Sequence, residues 1–120
     1  MERIHEFNPI IYPRLLWIAI NPKKEELEKI FDDTFDLDDC SYKAIVYQTT
    51  KKVNGKAGEL IIFKSKKYIN TEVIAHEATH VALDIFYEIG IKYDGEHQEA
   101  LAYFIGWLAK CCEQVKNNKV

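Results

Sequence analysis

Residues 70–90, NTEVIAHEATHVALDIFYEIG, decide the fold of this chain. Asn70 or Thr71 can cap a helix at the start of the stretch, and Gly90 is a natural C-terminal stop. Apolar residues recur between them with helical periodicity, at Val73, Ile74, Val81, Leu83, Ile85, Phe86 and Ile89. Because these positions spread round much of the circumference, the sequence predicts a central and largely buried helix.

An H-E-x-x-H motif lies in the middle of this helix, as His76-Glu77-Ala78-Thr79-His80. Positions four apart point the same way on a helix, so His76 and His80 present two imidazoles to one point in space. This spacing is typical of a catalytic zinc site, in which the Glu between the histidines lies beside a water and can accept its proton. We therefore expect zinc at the two histidines, with Glu77 as the general base.

The third ligand has to come from further along the chain. No His follows at the close spacing of the H-E-x-x-H-x-x-G-x-x-H type, which excludes that class of site. Glu99 completes the pattern H-E-x-x-H-x18-E, in which a second helix brings one carboxylate to the metal. His97 is an alternative ligand, since it belongs to the same turns of the second helix.

The motif and its downstream Glu resemble those of gluzincin metallopeptidases, in particular the very small minigluzincin-like or phage- and prophage-encoded members. The resemblance covers the two helices. It implies one Zn²⁺ per chain, held by His76, His80 and Glu99, with Glu77 as the base. It also implies a minimal zincin-like α+β fold, with a small, mostly antiparallel sheet, the motif helix and a following Glu-bearing helix.

One position departs from the gluzincin pattern. Members of the family commonly carry an Asp four residues after the ligand Glu, and here that position is Tyr103. Asp84, four residues after His80, is the alternative partner for an imidazole nitrogen. Otherwise it is a charged residue on the solvent-exposed side of the helix. The candidates for a donor that stabilises the oxyanion are Tyr93, His97 and Tyr103.

The composition is that of a soluble globular protein. The chain has 120 residues, of which 48% are hydrophobic and 29% charged, so we expect a single domain over residues 1–120. A net charge of -3 gives no case for nucleic-acid binding. The apolar run at residues 10–20 is interrupted by Pro13 and Arg14 and is too short to span a membrane. A peptide or protein substrate is the expected partner, and the oligomeric state stays open.

Three cysteines, Cys40, Cys111 and Cys112, bear on the compartment. Their number is odd and two are adjacent, which argues against a disulfide framework and favours a reducing environment. We therefore expect a cytoplasmic protein, with Cys111 and Cys112 as partly buried positions of the last helix.

The chain before the motif helix predicts a sheet with one short helix. Leu15 to Ile20 forms a buried strand, and residues 22–32 form an amphipathic helix. Residues 3–14 contain Pro9 and Pro13, so they are expected to form an extended arm outside the ladder.

A hairpin completes the predicted sheet. Its strands are residues 42–50 and 59–63, and Asn54-Gly55 and Gly58 are expected to supply the positive backbone angles of the tip. By resemblance to zincin-like enzymes, residues 58–63 are the edge strand that binds an extended substrate beside the metal.

After the motif helix, Asp94 is expected to cap the last helix, which runs to about Val115. Ala102 and Gly106 are small and share the side of Glu99, so they are expected to let the two helices approach closely.

Three functions remain open from the sequence. The favoured one is a zinc metallopeptidase that hydrolyses peptide bonds. The second is a zincin-fold, metal-binding protein without peptidase activity, acting as an interaction or regulatory module. The third is a metal-free structural domain in which the motif is accidental.

Overall fold

This computed structural model describes residues 4–37 and 41–119 of the chain. These residues contain four strands and three α-helices. The strands are β1 (Ile4–Phe7), β2 (Leu15–Ile20), β3 (Ala44–Thr50) and β4 (Ala57–Phe63). The helices are α1 (Lys24–Ile30), α2 (Thr71–Ile89) and α3 (Glu99–Lys116), and a 3-10 turn at Lys66–Tyr68 precedes α2. The predicted α+β class is confirmed, and no described helix is both long and apolar enough to cross a membrane.

The sheet is mixed, with strand order β1-β2-β4-β3. Its central pair, β2 and β4, is parallel and runs in register from Leu15 opposite Gly58 to Ile20 opposite Phe63. The two outer pairs are antiparallel. Most of the pairing is therefore antiparallel, as expected, but the parallel central pair makes the sheet a mixed one. The chain returns in the same direction because α1 and β3 cross over between β2 and β4.

The N-terminal segment enters the sheet, so the prediction of an unpaired arm at residues 3–14 is wrong. Ile4 to Phe7 pair with β2, from Ile4 opposite Ala19 to Phe7 opposite Leu16. Pro9 and Pro13, on which that prediction depended, both follow the strand and remove no hydrogen bond from its ladder.

The two faces of the sheet bury different helices because successive side chains of a strand alternate between them. One face packs against α2 and α3 through Leu16, Ile18, Ile61 and Phe63. The opposite face packs around α1 through Leu15, Trp17, Leu60 and Ile62, together with Leu27, Phe31 and Phe35. The motif helix α2 is therefore held against one face of the sheet, with α3 beside it.

Helix α2 begins and ends as predicted. The Asn70 side-chain oxygen accepts a hydrogen bond of 3.0 Å from the Val73 N–H, and Gly90 ends the helix with φ at 77°. Helix α1 is shorter than the predicted residues 22–32. The hairpin of β3 and β4 is confirmed, with Gly55 at its tip at φ 69°. The positive φ expected at Asn54 and Gly58 is wrong, since Gly58 lies within β4 and neither residue is left-handed.

Helix α3 starts four residues later than predicted, at Glu99, with Gln98 in place of Asp94 at the cap position. Asp94 does not cap it. The Asp94 carboxylate instead accepts hydrogen bonds from the N–H groups of Glu96, at 2.8 Å, and His97, at 2.9 Å, which fixes a separate turn before the helix.

Gly58 is required where β4 passes β2, and Gly58→Ala is expected to destabilise the fold. A Cβ at this position would lie 2.2 Å from the backbone oxygen of Leu15 and 2.8 Å from Cζ3 of Trp17. Because the nearer atom is backbone, a side-chain rotation cannot relieve the clash, and we expect a loss of about 3 kcal/mol or more. Urea unfolding measures it, with Gly106→Ala as control, since a Cβ on Gly106 meets nothing within 4 Å. Equal stability of the two variants would contradict the expected clash.

Candidate metal centre

His76 and His80 lie side by side on the exposed flank of α2. Their Nε2 atoms are 3.2 Å apart and their ring centroids 4.7 Å apart. Two nitrogens bound to one tetrahedral zinc, each at about 2.0–2.1 Å, would lie about 3.3 Å from one another. The spacing of the two nitrogens therefore matches that of two ligands on one ion, and it also lets one ring nitrogen donate a hydrogen bond to the other.

Glu77 lies on the buried side of the pair and is 9% exposed. Burial raises the pKa of its carboxyl group, and the charges of His76 and His80 oppose that shift. Glu77 and His76 line the same surface cavity, of about 440 Å³. A carboxyl group with a raised pKa is a better proton acceptor near neutral pH, so this placement suits a general base.

The edge strand beside the pair is β3, so the assignment of residues 58–63 as the edge is wrong. These residues belong to β4, which is paired with β2 on one side and with β3 on the other. The strand at the edge starts at Ala44, which lines the cavity of His76 and Glu77. The other strand of the predicted hairpin, β3, is therefore the one that can bind an extended substrate beside the histidines.

The outer side of β3 has backbone groups that can accept a further strand. The Lys64 N–H donates to the Lys43 carbonyl, and the Lys51 N–H donates to the Lys56 carbonyl. Since hydrogen bonding alternates along an antiparallel pair, the even-numbered residues between Lys43 and Lys51 direct their N–H and C=O groups away from β4. These residues are Ala44, Val46, Gln48 and Thr50. The Thr50 carbonyl already accepts a hydrogen bond of 2.9 Å from the Asp32 N–H, so the edge open to a further strand ends at Gln48. An extended peptide can therefore pair with this edge.

Glu99 is not brought to the histidines. Over residues 4–37 and 41–119, no group of three or more His, Cys, Asp or Glu side chains is placed to hold a metal ion. Glu99 lies on the outer side of α3, where it lines a shallow surface cavity with Ala102, Tyr103 and Gly106. The buried side of α3 is opposite, at Phe104, Leu108, Cys111, Cys112 and Val115.

The expectation that Ala102 and Gly106 allow a close approach of the two helices is therefore wrong. Both residues are exposed, and a Cβ on Gly106 would meet nothing within 4 Å. Small residues are typical of a close helix contact, but α3 packs through its larger apolar residues on the other side.

The predicted oxyanion donors lie elsewhere, and a lysine lies near the pair instead. His97 Nδ1 is 3.0 Å from Asp94 Oδ1, Tyr103 is 77% exposed, and Tyr93 packs near Phe86. None of the three is among the described residues that line the cavity of His76 and Glu77. Lys43, the residue before β3, does line it. Sequence reasoning missed Lys43, because a lysine at the end of a strand is usual on a soluble surface.

Asp84 has a partner on the sheet. Its carboxyl group hydrogen-bonds Glu59, which is 3% exposed and points from β4 towards α2. Burial, the hydrogen bond with Asp84 and the charges of Asp84 and Glu88 together raise the pKa of Glu59 to about 9. Sequence reasoning missed Glu59; its one signal is a carboxylate at a position of β4 that faces the same way as Ile61 and Phe63.

Cys111 and Cys112 are free and lie in α3, as predicted, but they are buried and not partly buried. Burial raises the pKa of each thiol to about 12, so both stay protonated and pack as small apolar groups. Cys40 lies outside the described residues.

No family model matches this chain, and neither does any curated protein or solved structure. Function has therefore to be argued from the side chains themselves.

Proposed function

We propose that this chain is a small zinc-dependent peptidase with a gluzincin-like site, which hydrolyses a peptide bond in an extended segment paired with β3. One observation carries the proposal. The Nε2 atoms of His76 and His80 are 3.2 Å apart, on the same helix as the buried carboxyl group of Glu77 and beside the start of the edge strand. The ligand His76, the base Glu77 and the start of the substrate edge thus line one cavity, with His80 beside His76.

Zinc at the two histidines would polarise the substrate carbonyl and make a water more acidic. Glu77 takes the proton from the attacking water and later gives it to the leaving amine. The outward backbone groups of β3 hold the substrate extended, with the scissile bond near Ala44. The Lys43 ammonium group, in the same cavity, is the positive charge that can stabilise the developing oxyanion.

Glu99 is the proposed third ligand, and this assignment requires its segment to shift towards the histidines. Residues 92–100 are all exposed, so repositioning them disrupts little buried packing. His97 remains the alternative ligand from the same segment. Its ring is paired with Asp94, and this pairing would have to break before the ring could bind the metal.

Metal stoichiometry tests the proposal directly. The native chain, purified without added metal, is expected to contain close to one zinc, measured by mass spectrometry. His80→Ala is expected to lose it because one nitrogen cannot replace the pair, and Glu99→Ala is expected to lose it if the segment shifts as proposed. His97→Ala is the matched control and is expected to keep the zinc.

Two outcomes of that experiment would overturn parts of the proposal. A native chain that takes up no zinc at neutral pH would overturn the proposed peptidase function altogether. Zinc retained in Glu99→Ala but lost in His97→Ala would overturn the choice of third ligand and leave the two-histidine site intact.

A second function is favoured by the separation of Glu99 from the histidines, which stand without a third ligand in the described part of the chain. A zincin-like, metal-binding chain with an incomplete site would act as an interaction or regulatory module. It would bind zinc weakly and would bind a peptide along β3 without cleaving it. Digestion of a mixed peptide library by the zinc-loaded chain separates the two, since the module gives no products.

A further inference from the structure

A second cavity lies at the other end of β3, about 210 Å³ in volume and separate from the histidine pair. Its lining is mostly polar and comes from β3, β4, the segment before β2, the segment after α1 and the end of α2. The lining residues used below are Arg14, Asp33, Gln48, Thr50, Glu59 and Glu88.

Glu59 has a buried oxygen that no described group satisfies. The residue is 3% exposed, and its Oε1 atom has no hydrogen-bond partner in the described part of the chain. The same carboxyl group is hydrogen-bonded to Asp84. An acceptor left unpaired in a buried position is costly, so a donor that enters this cavity gains a strong hydrogen bond.

The charges around the cavity favour a positively charged donor. Asp33 and Glu88 line it, and Asp84 is bonded to Glu59, whereas Arg14 is the one basic residue among the described lining residues. Carboxylates in partly buried surroundings bind a cationic donor more strongly than a neutral one.

An organic cation fits better than a metal ion. No described group of three or more acidic or histidine side chains is placed to hold a metal ion, whereas hydrogen bonds to a guanidinium or ammonium group need no such convergence. The cavity is also smaller than the roughly 300 Å³ at which sites for drug-sized ligands begin, so it suits one side chain.

The position of the cavity indicates what carries the cation. The outer edge of β3 runs from Ala44, at the cavity of His76, to Gln48, at the cavity of Glu59. Beyond Gln48 this edge is occupied, because the Asp32 N–H donates to the Thr50 carbonyl at 2.9 Å. The four steps from Ala44 to Gln48 span about 13 Å. A peptide paired with β3 at its His76 end therefore reaches the Glu59 cavity about four residues away.

We propose that the Glu59 cavity binds the guanidinium or ammonium group of a lysine or arginine side chain, on a peptide that lies along β3. Glu59 and Glu88 accept hydrogen bonds from the cation. That this peptide is a substrate depends on the proposed peptidase function, but its binding does not. The site would make the chain selective for segments with one basic residue at a fixed distance from the bond near His76.

The test uses two fluorescent eight-residue peptides, one with a single arginine and one with citrulline, its uncharged isostere, in its place. Their binding to the native chain is measured by anisotropy with a chelator present, so cleavage cannot occur and zinc is not needed. We expect the arginine peptide to bind about tenfold more tightly or better. The preference should grow as pH rises towards 9, because a bound cation favours the ionised form of Glu59.

Three variants assign that preference to the cavity. Glu59→Gln keeps a donor for Asp84 and is expected to abolish the preference for arginine. Glu88→Gln, at an exposed position, is expected to reduce it and does not depend on how Glu59→Gln folds. Glu25→Gln removes an exposed charge on α1 and is expected to bind like the native chain.

Three outcomes overturn the inference. Equal affinity for the two peptides, or a preference that survives both Glu59→Gln and Glu88→Gln, would mean that the cavity holds ordered water only. If agmatine binds and the arginine peptide does not, the cavity takes free small cations and the peptide-borne side chain is excluded. A separate incubation of the arginine peptide with the zinc-loaded chain, without chelator, tests the peptidase: cation-dependent binding with no cleavage there would uphold this site and overturn the peptidase instead.

Discussion

Glu77→Gln is expected to keep the metal and lose hydrolytic activity by about 10²- to 10⁴-fold, the usual contribution of a general base. Glutamine has the size of glutamate and cannot take a proton. His76 and His80 both point to the exposed flank, whereas Glu77 points towards the core, so the substitution leaves the ligand pair in place. Turnover should fall while the zinc content and the affinity for peptides do not.

Glu72→Gln is the matched control for this loss. Glu72 is exposed, lies on the same helix and lines the same cavity, so its replacement removes one negative charge without removing the base. Cleavage of a peptide library, followed by mass spectrometry, measures both variants against the native chain. Equal activity of Glu77→Gln and the native chain would show that another group takes the proton, and equal losses in both variants would reduce the role of Glu77 to local charge.

The elements that the sequence predicted well are those whose signals are local. Helix α2 has a capping Asn70 and a terminal Gly90, and both act through the nearest turn of backbone. The strand from Leu15 to Ile20 and the hairpin tip at Gly55 are equally local. The order of strands is a tertiary property, however, and placing β3 instead of β4 at the edge required the parallel pairing of β2 with β4.

The residues of the candidate site also divide into those that a local sequence pattern predicts and those whose position depends on tertiary packing. The convergence of His76 and His80 follows from helix geometry, so four-residue spacing was enough to predict it. The position of Glu99 depends on which side of α3 is buried, and the small residues Ala102 and Gly106 suggested the wrong side. The pairing of Asp84 with Glu59 joins residues that are far apart in sequence, so no local sequence pattern predicts it.

Glu59→Gln is expected to stabilise the chain at alkaline pH and to remove much of the pH dependence of its stability. Folding raises the pKa of this carboxyl group from about 4.5 to about 9, chiefly through burial. Between these values the folded chain holds a proton that the unfolded chain releases, so the stability is fully present below pH 4.5 and is lost as pH rises towards 9. The expected loss is about 1.4 kcal/mol per pH unit.

Urea unfolding of the native chain and Glu59→Gln from pH 5 to pH 8.5 measures this contribution. Glutamine is neutral throughout and can still donate to Asp84, so the variant should gain on the native chain by about 3 kcal/mol between pH 6 and pH 8. Every other charged group is common to both chains, so its contribution cancels in the difference. Glu88→Gln is the control, since Glu88 is exposed and its loss should leave most of the slope. A difference that stays constant with pH would mean that Glu59 is ionised in the folded chain, with its charge balanced by Arg14 and solvent.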